Sequence, residues 1–294
     1  MVGSANMDLV FRTARIPAVG ETVLGEGFAT HPGGKGANQA VAIGRLGGRV
    51  SFAGCVGDDV FGDALRQSLR DATVDTEHLL GVKGPSGTAG ILVDAEGRNL
   101  IVVAPGANSA VTESAVDEAI RTILPAVVLA QLEIPLVAIE AAAKAERFVL
   151  NPAPARPLPA ELVARCYVLT PNETEIETLT GIAATDGDSC DAAARALLDQ
   201  GAEYVVITLG SRGSYLASPK GGMHFPAPNV EAIDTTAAGD AFNGALVMFL
   251  AEGREIGNAV ALANCVGALS TTRLGAQESM PNREELRNLA GNQY

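Results

Sequence analysis

Short runs of Val, Ile and Leu return through the middle of this chain, each separated from the next by an amphipathic stretch. A strand buried on both faces reads as an unbroken apolar run, and a parallel neighbour needs a crossover about a helix long. The alternation therefore predicts an α/β fold built on a mainly parallel sheet. Strands are expected at Val50–Cys55, Val127–Leu132, Phe148–Leu150, Tyr167–Leu169 and Tyr204–Leu209. Helices are expected between them at Asp59–Ala72, Glu113–Leu124, Leu136–Ala145, Glu173–Thr180 and Asp188–Gln200.

Two regions break the pattern. From Gly87 to Pro105, a run beginning Thr88-Ala-Gly-Ile-Leu-Val-Asp, a turn at Ala95-Glu96-Gly97 and Asn99-Leu-Ile-Val-Val read as an antiparallel hairpin. Leu9 to Thr30 is also strand-like and punctuated by glycine. Together they predict a small accessory sheet projecting from the main one. The last third turns helical, at Gly239–Ala251, Ile256–Ser270 and Arg283–Ala290. No repeat or interdomain linker interrupts the chain, and the prolines at 152, 154, 157 and 159 read as a turn after a strand.

Charge narrows the function. With 21 Lys plus Arg against 34 Asp plus Glu, the net charge of −13 argues against nucleic acid and anionic membrane surfaces, which are bound through clustered cations. The 47% apolar and 19% charged residues suit a packed core rather than a disordered chain. Cys55, Cys166, Cys190 and Cys265 are far apart with no CxxC, so neither a zinc site nor a disulfide framework is expected. The most apolar segment is broken by Gln131, Glu133, Pro135 and Glu140, and no basic-then-apolar signal opens the sequence. A cytoplasmic, soluble protein with reduced thiols is the expectation.

Four segments carry chemistry. Pro32-Gly33-Gly34-Lys35-Gly36-Ala37-Asn38-Gln39 runs into an Ala-rich helix, so bare backbone and helix N–H groups meet at one place. Asn38 adds a donor and an acceptor suited to sugar hydroxyls. The spacing is neither a Walker loop nor G-x-G-x-x-G after a strand, and a plain glycine turn accounts for the same residues. In Asp234-Thr-Thr-Ala-Ala-Gly-Asp240, small residues open a helix, so the N–H groups of Ala237, Ala238, Gly239 and Asp240 would form an anion hole. Asp240 beside it suits a general base, or simply a helix start. Asn172 and Glu175 in Thr170-Pro-Asn-Glu-Thr-Glu share a helical face, suited to waters around magnesium or to a capping box. Ile207 to Gly213 ends a strand in a glycine turn, suited to nucleotide phosphates or to a hairpin. Each segment follows a strand or starts a helix, where ligands of open α/β sheets gather, which favours one shared crevice.

These residues resemble the ribokinase family of phosphofructokinase-B-type sugar kinases over nearly the whole chain. The signatures are Gly33 to Gly47 and Asp234 to Asp240, joined by Gly3-Ser4-x-Asn6-x-Asp8, Pro17-x-x-Gly20-Glu21-Thr22, Asn151-Pro-Ala-Pro-Ala and Thr208-Leu-Gly-Ser-Arg-Gly. The resemblance implies a ribokinase-like three-layer α/β/α sandwich in a single domain, 1–294, with a mainly parallel central sheet. A small β-sheet lid would come from about residues 9–32 and 87–105. It implies that ATP phosphorylates the primary hydroxyl of D-ribose to give ribose 5-phosphate. Asn6, Asp8, Gly34, Lys35, Asn38 and Glu133 would hold the sugar, with Asp240 as base. Asn172, Thr208, Leu209, Gly210, Ser211, Arg212, Gly213, Gly239 and Asn264 would contact the nucleotide, with Asn172 and Glu175 near Mg2+. A monovalent cation, usually K+, would sit at Asp234, Thr236, Ser270, Arg273, Gly275 and Ser279, several through backbone carbonyls, because a guanidinium cannot ligate a cation. The lid would pair two subunits.

One departure stands out: family members carry several apolar residues before the Gly3-Ser4 motif, and Met1 and Val2 alone precede it in this sequence. A curtailed first strand and a poorly filled central position are expected. A kinase of another sugar or of a nucleoside, a non-catalytic sugar-binding regulator and a purely structural module are the competing readings. The matches at Asn6, Asp8, Lys35, Asn38 and Glu133 argue against the first, the retained Asp240 and Ala237 to Gly239 against the second, and the coincidence of four turns against the third.

Overall fold

The computed structural model describes residues 1–291. The chain begins with β1 (Asn6–Arg12) and β2 (Gly27–Gly33), then α1 (Lys35–Arg45), β3 (Gly54–Gly57), α2 (Val60–Asp71) and β4 (Leu79–Val82). The hairpin β5 (Gly87–Val93) and β6 (Asn99–Ala104) follows. Strict alternation comes next, through α3 (Glu113–Ile123), β7 (Val128–Ala130), α4 (Leu136–Ala142), β8 (Phe148–Leu150), α5 (Ala160–Val163), β9 (Val168–Leu169) and α6 (Glu173–Thr180). After α7 (Gly187–Leu198) come β10 (Tyr204–Thr208), β11 (Ser214–Ser218) and β12 (Gly221–Phe225), and the chain ends in α8 (Ala238–Ala251), α9 (Ile256–Ser270) and α10 (Arg283–Ala290).

Side chains on one strand point alternately to opposite faces, and the packing follows that period of two. Leu129, Val149, Val168 and Val206 pack into a core with α1, α8, α9 and α10, while Val128, Ala130, Phe148, Leu150, Leu169, Val205 and Ile207 pack into a second core with α3, α4, α6 and α7. The result is the expected α/β/α sandwich. Strands β7 to β10 run parallel in sequence order, and β11 and β12 extend the sheet antiparallel. The accessory sheet is real: β2-β1-β5-β6, with β1 and β5 parallel and both outer pairs antiparallel. Its first strand starts at Asn6, three residues earlier than the glycine-punctuated segment suggested.

The strand expected at Val50–Cys55 is displaced. Only Gly54–Gly57 is a regular strand, paired with β4, and Ser51 and Ala53 form isolated bridges. The cause lies next door. Val2 joins this two-stranded sheet to the six-stranded one, through parallel bridges to Ala53 and Ala130. Before it, a cleft of about 810 Å³ lies between Arg49–Ser51 and Val127–Leu129. The curtailed first strand is therefore a single bridging residue, with Met1 N–H donating to the Ser51 carbonyl at 2.8 Å. The antiparallel strands β11 and β12 and the short β4 carried no periodic signal that sequence reading used.

Candidate active site

Glycine shapes the entrance. Gly34 precedes α1 with φ 87°, and a Cβ there would lie 2.7 Å from the Asn6 nitrogen. A Cβ at Gly33 would lie 2.2 Å from an Asp8 carboxylate oxygen, so this loop closes directly over β1. Asn6 Oδ1 accepts from Asn108 Nδ2 at 2.7 Å, and Asn108 Oδ1 accepts from the Ala5 N–H at 3.0 Å. Glu133 accepts from the Lys35 N–H at 3.1 Å and from the Ser4 hydroxyl. Burial, then the nearby Glu133 and Asp240, push the Asp8 carboxyl up to about 7, against the opposing pull of His31.

Asp240 sits in the first turn of α8 and is buried. Its Oδ2 accepts from Asn38 Nδ2 at 3.0 Å and its Oδ1 from Gln39 Nε2 at 2.9 Å, so both signatures meet here. Burial raises its pKa, with Glu133 adding to the rise, while Lys35, Asn38 and Gln39 favour the ionised form. Lys35 is pulled down by desolvation, but Asp240, Glu133 and Glu175 outweigh that and hold the ammonium above its usual range. Ala237 caps α8 in the left-handed region, φ 58°, a conformation uncommon for a side chain with Cβ. The Ala238 N–H donates to the Thr235 carbonyl at 3.2 Å.

A cavity of about 730 Å³ opens onto Asp240. All four segments singled out in the sequence reach it: Lys35, then Asn172 and Glu175, then Thr208, Gly210, Ser211 and Gly213, then Ala237, Ala238, Gly239 and Asp240, joined by Asn264. Two expected nucleotide contacts do not line it. The Leu209 side chain is buried in the second core, and Arg212 turns to Glu173 and to the Thr185 and Ala184 carbonyls. Asn172 and Glu175 form the capping box, each side chain accepting from the other's N–H, at 2.8 and 2.9 Å. Capping and lining are compatible here, because the Asn172 amide keeps its NH2 and Glu175 a second oxygen. Burial first, then Asp240, raises the Glu175 carboxyl, opposed by the Asn172 N–H and Lys35. The Gly210–Gly213 turn also leads into β11, so the glycine turn serves a hairpin as well.

Beyond the cavity, the Asp234 loop meets the turn after α9. Asp234 accepts from the Thr236 N–H at 2.9 Å, the Thr236 hydroxyl at 2.6 Å and the Gly275 N–H at 2.9 Å. Burial pushes this carboxyl up, but those three bonds prevail and hold it below its ordinary range. Ser270 and Ser279 are buried, their hydroxyls donating to Gly267 and Ala276 carbonyls at 2.8 and 2.9 Å. The Arg273 side chain leaves the loop for Glu285, 3.1 Å away, which leaves only its carbonyl for a ligand. An ionised carboxylate among hydroxyl and carbonyl oxygens fits a hard cation.

Several polar groups buried near this site have no role assigned from the sequence: Gln39, Asn151 and Thr170, although they lie in the quoted motifs, and Asn108, Gln131, Asn243 and Gln277. Gln39 carried a legible signal, a long polar side chain in a helix whose residues Gly36 to Gly44 are all buried.

A buried carboxylate at a helix start that shares its cavity with a lysine, Asn172 and a glycine turn suits a small-molecule phosphotransferase. Comparison with known proteins narrows that class. The model of the pfkB family carbohydrate kinases matches residues 1–283. A ribokinase of Haemophilus influenzae is 40% identical over 292 residues, covering 97% of this chain and 95% of that protein. A Thermotoga maritima ribokinase structure superimposes with a TM-score of 0.90 at 36% identity, covering 98% and 97% of the two chains. An Arabidopsis thaliana ribokinase complexed with ribose and ATP gives 0.89 at 30% identity, covering 99% and 97%. The chain belongs to the pfkB family of carbohydrate kinases, and its fold is the ribokinase-like one.

Proposed function

We propose that this kinase transfers the γ-phosphoryl group of ATP to the primary hydroxyl of D-ribose. The observation that carries the reading is Asp240: buried, held at both oxygens by the glycine-rich helix, and open to a cavity that Asn172, Gly210 and Gly239 share. The sugar would lie between Asn6, Asp8, Gly34, Lys35, Asn38 and Glu133, and the nucleotide along Asn172, Thr208 to Gly213 and Asn264. Asp240 takes the hydroxyl proton as the oxygen bonds to the γ-phosphorus. The bond to the β–γ bridging oxygen breaks, and ADP leaves with that electron pair. Lys35 and the N–H groups of Ala237 to Asp240 offset the charge spread over the transferring oxygens.

Glu175, with Asn172, would orient waters of a Mg2+ ion carried by ATP, which supplies charge neutralisation at the phosphates. Asp234 and the carbonyl and hydroxyl oxygens of Thr236, Ser270, Arg273, Gly275 and Ser279 would hold K+, fixing the loop before α8. The whole chain works as one unit, with the β2-β1-β5-β6 sheet as lid and two lids paired in a cytoplasmic homodimer. The exposed residues Phe28, Ile101 and Val102 on that sheet support the pairing. A coupled ADP-release assay with ribose, other sugars and nucleosides, with and without K+, tests the reading.

A further inference from the structure

Behind Asp240 lies a run of buried amides, and beyond Asn38 the proposed reaction assigns them no step. Gln39 is wholly buried and does not line the cavity that opens onto Asp240. Its Nε2 donates to Asp240 Oδ1 at 2.9 Å and to Asn151 Oδ1 at 3.1 Å, and its Oε1 accepts from Gln131 Nε2. Asn151 is fixed in turn, Nδ2 donating to the Thr170 carbonyl at 3.1 Å, and the Thr170 hydroxyl donates to Asn243 Oδ1. Asn243 Nδ2 closes the chain on the Gly239 carbonyl at 2.8 Å, one residue before Asp240.

The direction of each amide follows from its surroundings. Two acceptors face Gln39 Nε2, one of them a carboxylate, so the reversed amide would set oxygen against oxygen. Gln131 must then present its NH2 to Gln39. That choice strands Gln131 Oε1, which is buried with no hydrogen-bond partner among the described residues, beside a backbone position where a Cβ on Gly3 would lie 2.3 Å away. A buried unsatisfied oxygen costs stability, which the protein accepts here in exchange for a fixed Gln39.

We infer that Gln39 is a positioning residue: it pins Asp240 Oδ1 so that Oδ2, on the Asn38 side, is the oxygen presented to the sugar hydroxyl. This rests on Asp240 acting as the base. Without the Gln39 donor, the carboxylate loses one of its two amide donors in a desolvated place, and it is free to rotate away from the hydroxyl. The charged groups facing it are Lys35, Glu133, Asp8 and Glu175, on four different segments. Desolvation already favours the protonated acid, so losing a donor to the anion moves its titration further up.

The test is the kcat–pH profile of Gln39→Met, which keeps the side-chain volume and removes the amide, beside Gln131→Met and Asp240→Asn. For Gln39→Met we expect kcat at pH 7 to fall about tenfold or more, KM for ribose and ATP within about twofold, and the acid limb about one pH unit higher. Gln131→Met should shift the limb the same way by less, and carries the test alone if Gln39→Met does not fold. An unmoved acid limb, with or without a lower kcat, overturns the positioning role, because a fold defect scales the profile without displacing it. Wild-type turnover by Asp240→Asn would instead remove the base itself. An inactive Asp240→Asn beside an unshifted Gln39→Met removes the Gln39 inference alone.

Discussion

Asp8 is the residue whose environment makes the sharpest statement about pH. Burial and neighbouring carboxylates raise it from 3.8 to about 7 in the folded chain. The folded state therefore holds a proton that the unfolded chain has already released, and the stability it confers is present below pH 4 and lost as pH rises through 7. Asp8→Asn mimics the neutral acid and keeps its size. At pH 8 the variant should be more stable than the parent by about 2–4 kcal/mol, with little difference at pH 4, while its KM for ribose rises about tenfold or more. Thermal melts at the two pH values, paired with ribose titrations, check both halves. An equal gain at both pH values would place the benefit in packing rather than in charge. Gly36 offers a steric counterpart. A Cβ there would lie 2.6 Å from the Ser4 nitrogen and 2.8 Å from the Gly3 Cα, all backbone, so nothing can yield cheaply. Gly36→Ala should cost about 2–3 kcal/mol in denaturant unfolding and open the sugar site, because α1 must retreat from the N-terminal segment.

Among the elements, those fixed by local pattern were legible and those fixed by partners were not. Phe148–Leu150, Glu173–Thr180, Ile256–Ser270 and Arg283–Ala290 fall where the sequence reading put them, because apolar periodicity and caps such as the Asn172 and Asn282 boxes act within a few residues. The segment 50–55 has the composition of a strand but lacks a full neighbour, since Val2 offers it a single bridge. The same dependence explains the site: each motif was readable, while the amide chain behind Asp240 joins residues 39, 131, 151, 170 and 243 and exists only after folding. The gap beside Val2 makes its own prediction. The Met1 ammonium is partly desolvated at the cleft, which lowers its pKa to about 5. Adding three or four apolar residues ahead of Met1 would replace that charge with a peptide bond and lay a strand between Arg49 and Val127. The melting temperature should rise by about 4–8 °C; an unchanged value would mean the cleft does not accept a strand.

On the scale of the whole molecule, a net charge of −13 coexists with a proposed polyanionic substrate because the ligand is met locally, by Lys35 and backbone N–H groups, rather than by the global field. The proposed lid pairing can be tested at this scale. Every residue of β6 is exposed, with Val102 at 65%, and Phe28 on the opposite edge strand, β2, is 59% exposed. An exposed apolar sheet face of this kind needs a cover. The chain should sediment as a dimer, and Val102→Asp should sediment as a monomer with a higher KM for ribose; a parent that sediments as a monomer would rule out lid pairing.

Whether Asp240 drives transfer from ATP to ribose is decided by steady-state turnover of the parent and Asp240→Asn across a panel of sugars and nucleosides. Ribose should be preferred over the other compounds by about tenfold or more in kcat/KM, and Asp240→Asn should lose about 10³-fold in kcat while still binding ADP. Turnover by Asp240→Asn within tenfold of the parent, or a nucleoside preferred over ribose, would contradict the proposed transfer.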